Sequence, residues 1–262
     1  MTGPPADHVA LDLSPHPGAA PVSRMLRAQT AAELRLTLRR GESVLLTLVI
    51  PLALLVFFST VDVLPAGSGR AVDFVAPGVL ALAVLSTAFT GQAIATGFER
   101  SYGALKLLGA SPLPRAVLLG GKTLAVLGVE LLQCALVAVV ALLLGWSPHG
   151  DPLSVLVLLL LGTAAFSGLG LWMAGALREE ATLAAANGLY LVLLMLGGIV
   201  FPLDRLPGWL ASAAHALPST ALAAGLRSVL RDGRLLPLGD AAVLAVWALV
   251  AGVLAARTFR WE

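Results

Sequence analysis

The chain has 262 residues, of which 58% are hydrophobic and only 12% charged, with a net charge of +2 at neutral pH. Soluble domains carry about 45–50% apolar and about 25% charged residues. A chain with a mean hydropathy of +0.91 lacks the polar residues to cover a water-facing surface, so it reads as an all-α integral membrane protein. The basic residues gather in clusters flanking apolar runs, which argues against a nucleic-acid-binding face.

Residues 1–22 are rich in Pro, Gly and Ala, with no apolar periodicity and no apolar core of a secretory signal. They read as a disordered cytoplasmic tail ahead of one membrane domain, 23–262. The next stretch, 24–40, has helical composition and five arginines. On a helix, Arg24, Arg27, Arg35 and Arg39 gather on one side and Met25, Leu26 and Leu36 lie opposite, while Leu34 and Leu38 fall near the basic side. A basic helix of this kind can lie at the cytoplasmic lipid surface as an interfacial helix. The plainer alternative is a solvated extension of the first span.

About 20 apolar helical residues cross the hydrocarbon core. Stretches 43–63, 74–98, 116–146, 153–177, 181–201 and 240–256 fit, which gives six transmembrane helices. Pro51 is a tolerated kink point in the first. The third is long enough to tilt or to project beyond the lipid. A tight charged turn, Arg178-Glu179-Glu180, joins the fourth and fifth. Segment 202–239 holds two short apolar pieces, 209–217 and 220–230, broken by Pro218. They read as an extracellular helical cap before the last span, two short helices capping or dipping into one membrane face. Fusing them into a seventh span is the alternative.

Six spans put twelve Lys and Arg residues on one side and five (Arg70, Arg205, Arg227, Arg231 and Arg234) on the other. The richer side is expected to be cytoplasmic. Both termini then lie inside the cell, as does 97–123, the longest polar interruption in the first half of the chain. The expected location is the plasma membrane, multi-pass.

Few residues suggest chemistry. Cys134 is the single cysteine and lies in an apolar run; His8, His16, His149 and His215 are scattered, so no metal site is expected. Gly121-Lys122-Thr123 lacks the first glycine of a phosphate loop, where Ala116 stands, and follows no strand. Lys122 reads instead as a lysine snorkelling to the inner interface, and any nucleotide belongs to another chain. Ser167, in Phe166-Ser167-Gly168, lacks a membrane-embedded His base and reads as a packing residue. Glu130 is the sharpest polar residue, with Gln133 and Cys134 at i+3 and i+4 on a shared face. An ionisable group at that depth marks a translocation pathway by default, and a Glu that locks helices together is the equal alternative. Asn187 and Gln92 are weaker cases, each suited to interhelical hydrogen bonding. Ala164-x-x-x-Gly168 and Ala184-x-x-x-Gly188 suit close helix packing in lipid.

Two stretches together resemble a known family. Phe98-Glu99-Arg100-Ser101-Tyr102-Gly103-Ala104-Leu105-Lys106, followed by Gly109-Ala110-Ser111-Pro112-Leu113-Pro114-Arg115 and Gly121-Lys122, is similar to the loop between the second and third spans of ABC exporter type-2 permeases. Phe201-Pro202-Leu203-Asp204-Arg205-Leu206-Pro207-Gly208-Trp209-Leu210, then Leu217-Pro218-Ser219-Thr220 and Leu226-Arg227, resembles the region before that family's last span. The order of elements agrees, over about residues 24–258.

The resemblance implies a permease of the drug-export-like branch, moving a drug, lipid or glycan outward and so connected with antibiotic resistance. Two permease subunits, as a homodimer or heterodimer, would form the pathway, and separate ABC ATPase subunits would hold the ATP and Mg. The chain itself would bind no cofactor and catalyse no reaction. The helix over 97–109 would be a cytoplasmic coupling helix docking into an ATPase cleft. In it, Phe98 would take part in the coupling, Glu99 and Arg100 would stand at the membrane boundary, Gly103 would allow close approach, Leu105, Leu107 and Leu108 would offer apolar contact, and Pro112 would help stop the helix. An ion-gradient-driven secondary transporter and a membrane-embedded lipid-modifying enzyme are the competing classes. The first is expected to show inverted repeats, the second a convergent polar constellation within the spans.

Overall fold

The computed structural model describes residues 20–39, 41–61, 70–199 and 207–259, with backbone alone at 42–44 and 46. Residues 1–19 of the tail, Arg40, most of the first loop and residues 201–206 of the second resemblance lie outside the described residues, and α1 already begins at Val22, the last residue assigned to the tail. The described chain is helical: α1 (Val22–Arg39), α2 (Gly41–Thr60), α3 (Ala71–Val84), α4 (Gln92–Ser101), α5 (Ala104–Gly109), α6 (Arg115–Leu143), α7 (Pro152–Ala176), α8 (Glu179–Leu196), α9 (Gly208–Ala214), α10 (Pro218–Leu230) and α11 (Leu238–Thr258). A π-helical segment, Leu85–Gly91, joins α3 to α4, so that Ala71–Ser101 is one continuous helix.

Five helices among the described residues are long and apolar enough to cross a bilayer: Ala71–Ser101, α6, α7, α8 and α11. α2 continues without a break past Pro51 and counts as a shorter apolar helix over Thr47–Thr60. The fused helix α3–α4 is the centre of the bundle, with 78% of its most apolar window buried, against 17% for α8 and 22% for α11. Around it pack α2, α7, α8 and α10, while α11 lies on α7 and α1 on α6. The outward faces of α2, α6, α8 and α11 carry exposed Leu, Val and Met side chains, among them Leu131, Leu191, Met195 and Leu249. Apolar residues inside and outside together are what a lipid-facing bundle requires.

Local chemistry sets the boundaries. Pro152 occupies the first turn of α7, and Asp151 caps it, its carboxylate accepting from the Ser154 amide and hydroxyl at 2.9 Å each. Those two donors hold the Asp151 carboxyl below its ordinary value. Pro218 likewise occupies the first turn of α10, there without a side-chain cap. The two expected short helices are present and differ: α9 is largely exposed, whereas α10 is buried along most of its length against α3, α7, α8 and α11. At its far end, the Arg227 guanidinium donates to the carbonyls of Gly198 and Ile199 just past α8 and lies 4.5 Å from the Phe74 ring. That cation satisfies carbonyls left open by the helix end.

Small residues let the helices approach. A methyl group at Gly168 would meet Ala251 Cβ and the Gly252 nitrogen at 3.0 Å, so the small-residue spacing in α7 is a real contact with α11. Gly188, its counterpart in α8, has nothing within 4 Å. A methyl at Gly170 would lie 2.7 Å from the Phe89 carbonyl. This glycine therefore admits the bulged backbone of the π segment against α7.

Candidate functional site

The polar corner between the second and third long helices is built in two parts. α4 carries the central helix out to Ser101 and stops at Tyr102-Gly103; α5 then runs only from Ala104 to Gly109. The single helix expected over 97–109 is thus broken. Gly103 breaks it with a left-handed φ of +75°, which costs glycine nothing and other residues about 1–2 kcal/mol. Nothing lies within 4 Å of where its Cβ would stand, so the glycine is required here by the turn itself. Pro112 sits in the turn after α5, and Pro114 caps α6.

Each side chain of the corner has a definite direction. Leu105 is fully buried with Leu118, Leu119, Leu171 and Phe259, and Leu108 packs half-buried on the same cluster. Leu107 is 78% and Tyr102 80% exposed, so of the three leucines only Leu107 is fully open at the surface. The half-buried Phe98 ring stacks on Tyr102 at 6.0 Å. Arg100 donates to the Leu177 carbonyl at the end of α7. Glu99 turns inward onto Lys122 of α6.

Lys122 is the residue that sequence reasoning placed wrongly. It does not snorkel: it is 4% exposed, and its Nζ lies 2.5 Å from Glu99 Oε2 and 2.9 Å from Glu33 Oε1. Gln29 donates to the same Glu33 oxygen at 2.8 Å. One ammonium therefore joins α1, α4 and α6. α1 follows α6 lengthwise, with Leu26 beside Gly120, Gln29 beside Gly121 and Leu34 beside Gly128. Glu33 faces inward while Arg24, Arg27, Arg35 and Arg39 remain exposed. A signal for this existed: Glu33 is the one acidic residue of α1, and Lys122 is the first charge after Arg115 in a long apolar run.

Deeper in the bundle, Glu130 and Gln133 part company. Thr163 of α7 donates to Glu130 Oε2, and Glu130 Oε1 has no partner. Gln133 donates to the Thr47 carbonyl of α2 at 2.7 Å and accepts from Thr87 of the π segment at 3.0 Å. Thr123 and Ser167 hydroxyls, 2.7 Å apart, make a second α6–α7 contact, which gives Ser167 its packing role. Asn187 is exposed on α8 and donates to its own Leu183 carbonyl, so among the described residues it joins no second helix. Among the described residues no group of His, Cys, Asp and Glu is arranged to hold a metal ion.

No curated protein matches the chain. The family profile described as ABC-2 type transporter matches residues 25–230, from the first turn of α1 to the last residue of α10. That match takes in the braced corner, the central helix and the buried α10, and the chain belongs to the ABC-2 type transporter family, as a multi-pass ABC permease subunit.

Proposed function

We propose that this permease subunit serves an ATP-driven exporter, with its α4–α5 corner as the surface on which a separate ATPase subunit pushes. The observation that carries the reading is the division of labour in that corner. Tyr102 and Leu107 stand out in the open, while Leu105, Arg100 and the Glu99–Lys122 pair fasten the corner to α7, to α6 and, through Glu33, to α1. A corner so fastened moves as a body with the helices behind it, and packed helices shift between discrete arrangements. α2 supplies a sixth span, the α5 end faces the cytoplasm by the excess of Lys and Arg there, and two permease subunits, identical or related, form the pathway. A drug, a lipid or a glycan is the substrate.

The test is co-purification from membranes in which this chain is co-expressed with an ABC ATPase subunit of the same genome. Leu107→Asp puts a charge into the exposed apolar contact without touching the buried cluster, and it is expected to abolish recovery of the ATPase while the permease remains folded. Full recovery with Leu107→Asp and with Tyr102→Asp would show that the corner is not the docking surface.

A further inference from the structure

A cavity of about 380 Å³ lies between α1, α2, the π segment with α4, and α6. That volume is within the range of small-molecule pockets. Its polar end is the Glu33–Lys122–Glu99 cluster; Leu36, Ile94, Phe98, Val126 and Val129 give it apolar walls. Gln92 also lines it. This side chain is 4% exposed, and neither its amide nitrogen nor its amide oxygen has a hydrogen-bond partner. Thr96, one turn on, is 1% exposed with an unpartnered hydroxyl. Buried polar groups are nearly always paired, and each left unpaired costs about 1–3 kcal/mol. Three such atoms on one wall leave hydrogen-bonding capacity beside the cavity that the described residues do not use.

The charges say which occupant. Among the described residues that line the cavity there are two carboxylates and one ammonium, and the ammonium already contacts both carboxylates. Counted over the described residues, the cluster holds one more carboxylate than ammonium. An anion would meet that excess unfavourably, whereas a cation would complete it. The amide and hydroxyl on the neighbouring wall suit a hydroxyl or carbonyl near the cationic head, and the apolar walls suit a greasy body.

We propose that this cavity binds an amphiphile with an ammonium head group, seated against the cavity side of the Glu33–Lys122–Glu99 cluster and hydrogen-bonded by Gln92 and Thr96. Its role as a substrate site rests on the exporter reading above; its existence as a binding site does not. The ammonium belongs either to a free amphiphilic amine or to the ethanolamine head of a membrane lipid.

The experiment uses the purified full chain, without ATPase, in phosphatidylcholine nanodiscs, with dansylcadaverine as fluorescent probe. Its N-acetyl derivative, which has no ammonium, is the control. Saturable binding of the amine is expected, with at least tenfold weaker binding of the acetylated form. Gln92→Leu, which removes the unpartnered amide and leaves the charged cluster whole, is expected to weaken binding at least tenfold; the Glu33→Gln, Glu99→Gln double variant is expected to remove it. Displacement when phosphatidylethanolamine is added supports the site with lipid as its source, and saturable binding without displacement supports it with a free amine. Equal binding of amine and acetylated probe, or wild-type binding by Gln92→Leu, overturns the assignment. Loss of ATPase co-purification in the earlier test leaves this measurement standing, and absence of binding here leaves that docking result standing, so the two failures are distinct.

Discussion

Lys122→Met isolates the charged junction under the corner. It keeps the length and apolar stem of the side chain and removes the ammonium that holds Glu33 and Glu99. The two carboxylates are no farther apart than the two contacts laid end to end, and both are well shielded, at 11% and 18% side-chain exposure. At a separation of about 5 Å and an effective dielectric of about 20, two such charges repel by about 3 kcal/mol. Removing one partner of a buried pair costs about 3–5 kcal/mol. The partial exposure of Glu99 favours the lower end, so about 3 kcal/mol is expected. For a chain of this size that lowers the melting temperature by about 6–12 °C, read as tryptophan fluorescence during thermal unfolding in detergent. The triple variant Lys122→Met, Glu33→Gln, Glu99→Gln removes the repulsion along with the cation and is expected to recover at least half of the loss. A single variant that melts like wild type, or a triple variant no better than the single, refutes the account.

Four further outcomes follow from the same physical reading. Gly103→Ala is expected to cost about 1–2 kcal/mol because of its left-handed φ, with Gly103→Asn costing less; equal melting of the two would mean that the turn relaxes. Bulky substitutions at Gly103 accordingly disturb the turn before they test any docking contact. Thr163→Val leaves the buried Glu130 carboxyl without its donor and is expected to cost about 1–3 kcal/mol. Glu130→Gln is expected to assemble normally while export by membrane vesicles falls, and a shared loss of assembly would make Glu130 structural. Gly168→Leu overpacks the α7–α11 contact and is expected to cost about 1–3 kcal/mol, whereas Gly188→Leu is expected to leave the melting of the single subunit unchanged; the reverse order would contradict the packing seen around α7.

What the sequence makes legible here follows from what each feature depends on. The long apolar helices, the break after α5 and the paired short helices before α11 rest on hydropathy and proline, which act locally, and they stand where the residues place them. The split of 97–109 was also readable, because an isolated glycine after a basic helix end is an ordinary stop signal. The π segment was not. It depends on Gly170 in another helix and on the pairing of Thr87 with Gln133. The inward turn of Glu33 was masked by its own helix, whose arginines suggested an association with lipid head groups. Glu130 and Gln133 do lie near one another along α6, yet spacing on one helix does not say which neighbours stand on either side.

The junction at Lys122 also bears on how the protein is made. Glu33 leaves the ribosome before Lys122 exists, with α2 and the whole of α3–α4 between them. Until α6 is inserted, α1 has neither its glycine-lined seat nor the cation its carboxylate requires, and it must wait in water or among lipid head groups, where a charged Glu33 is at no disadvantage. A chain interrupted before α6 therefore presents an undocked, protease-accessible α1. Although α1 is the first helix synthesised, it is seated only when α6 arrives.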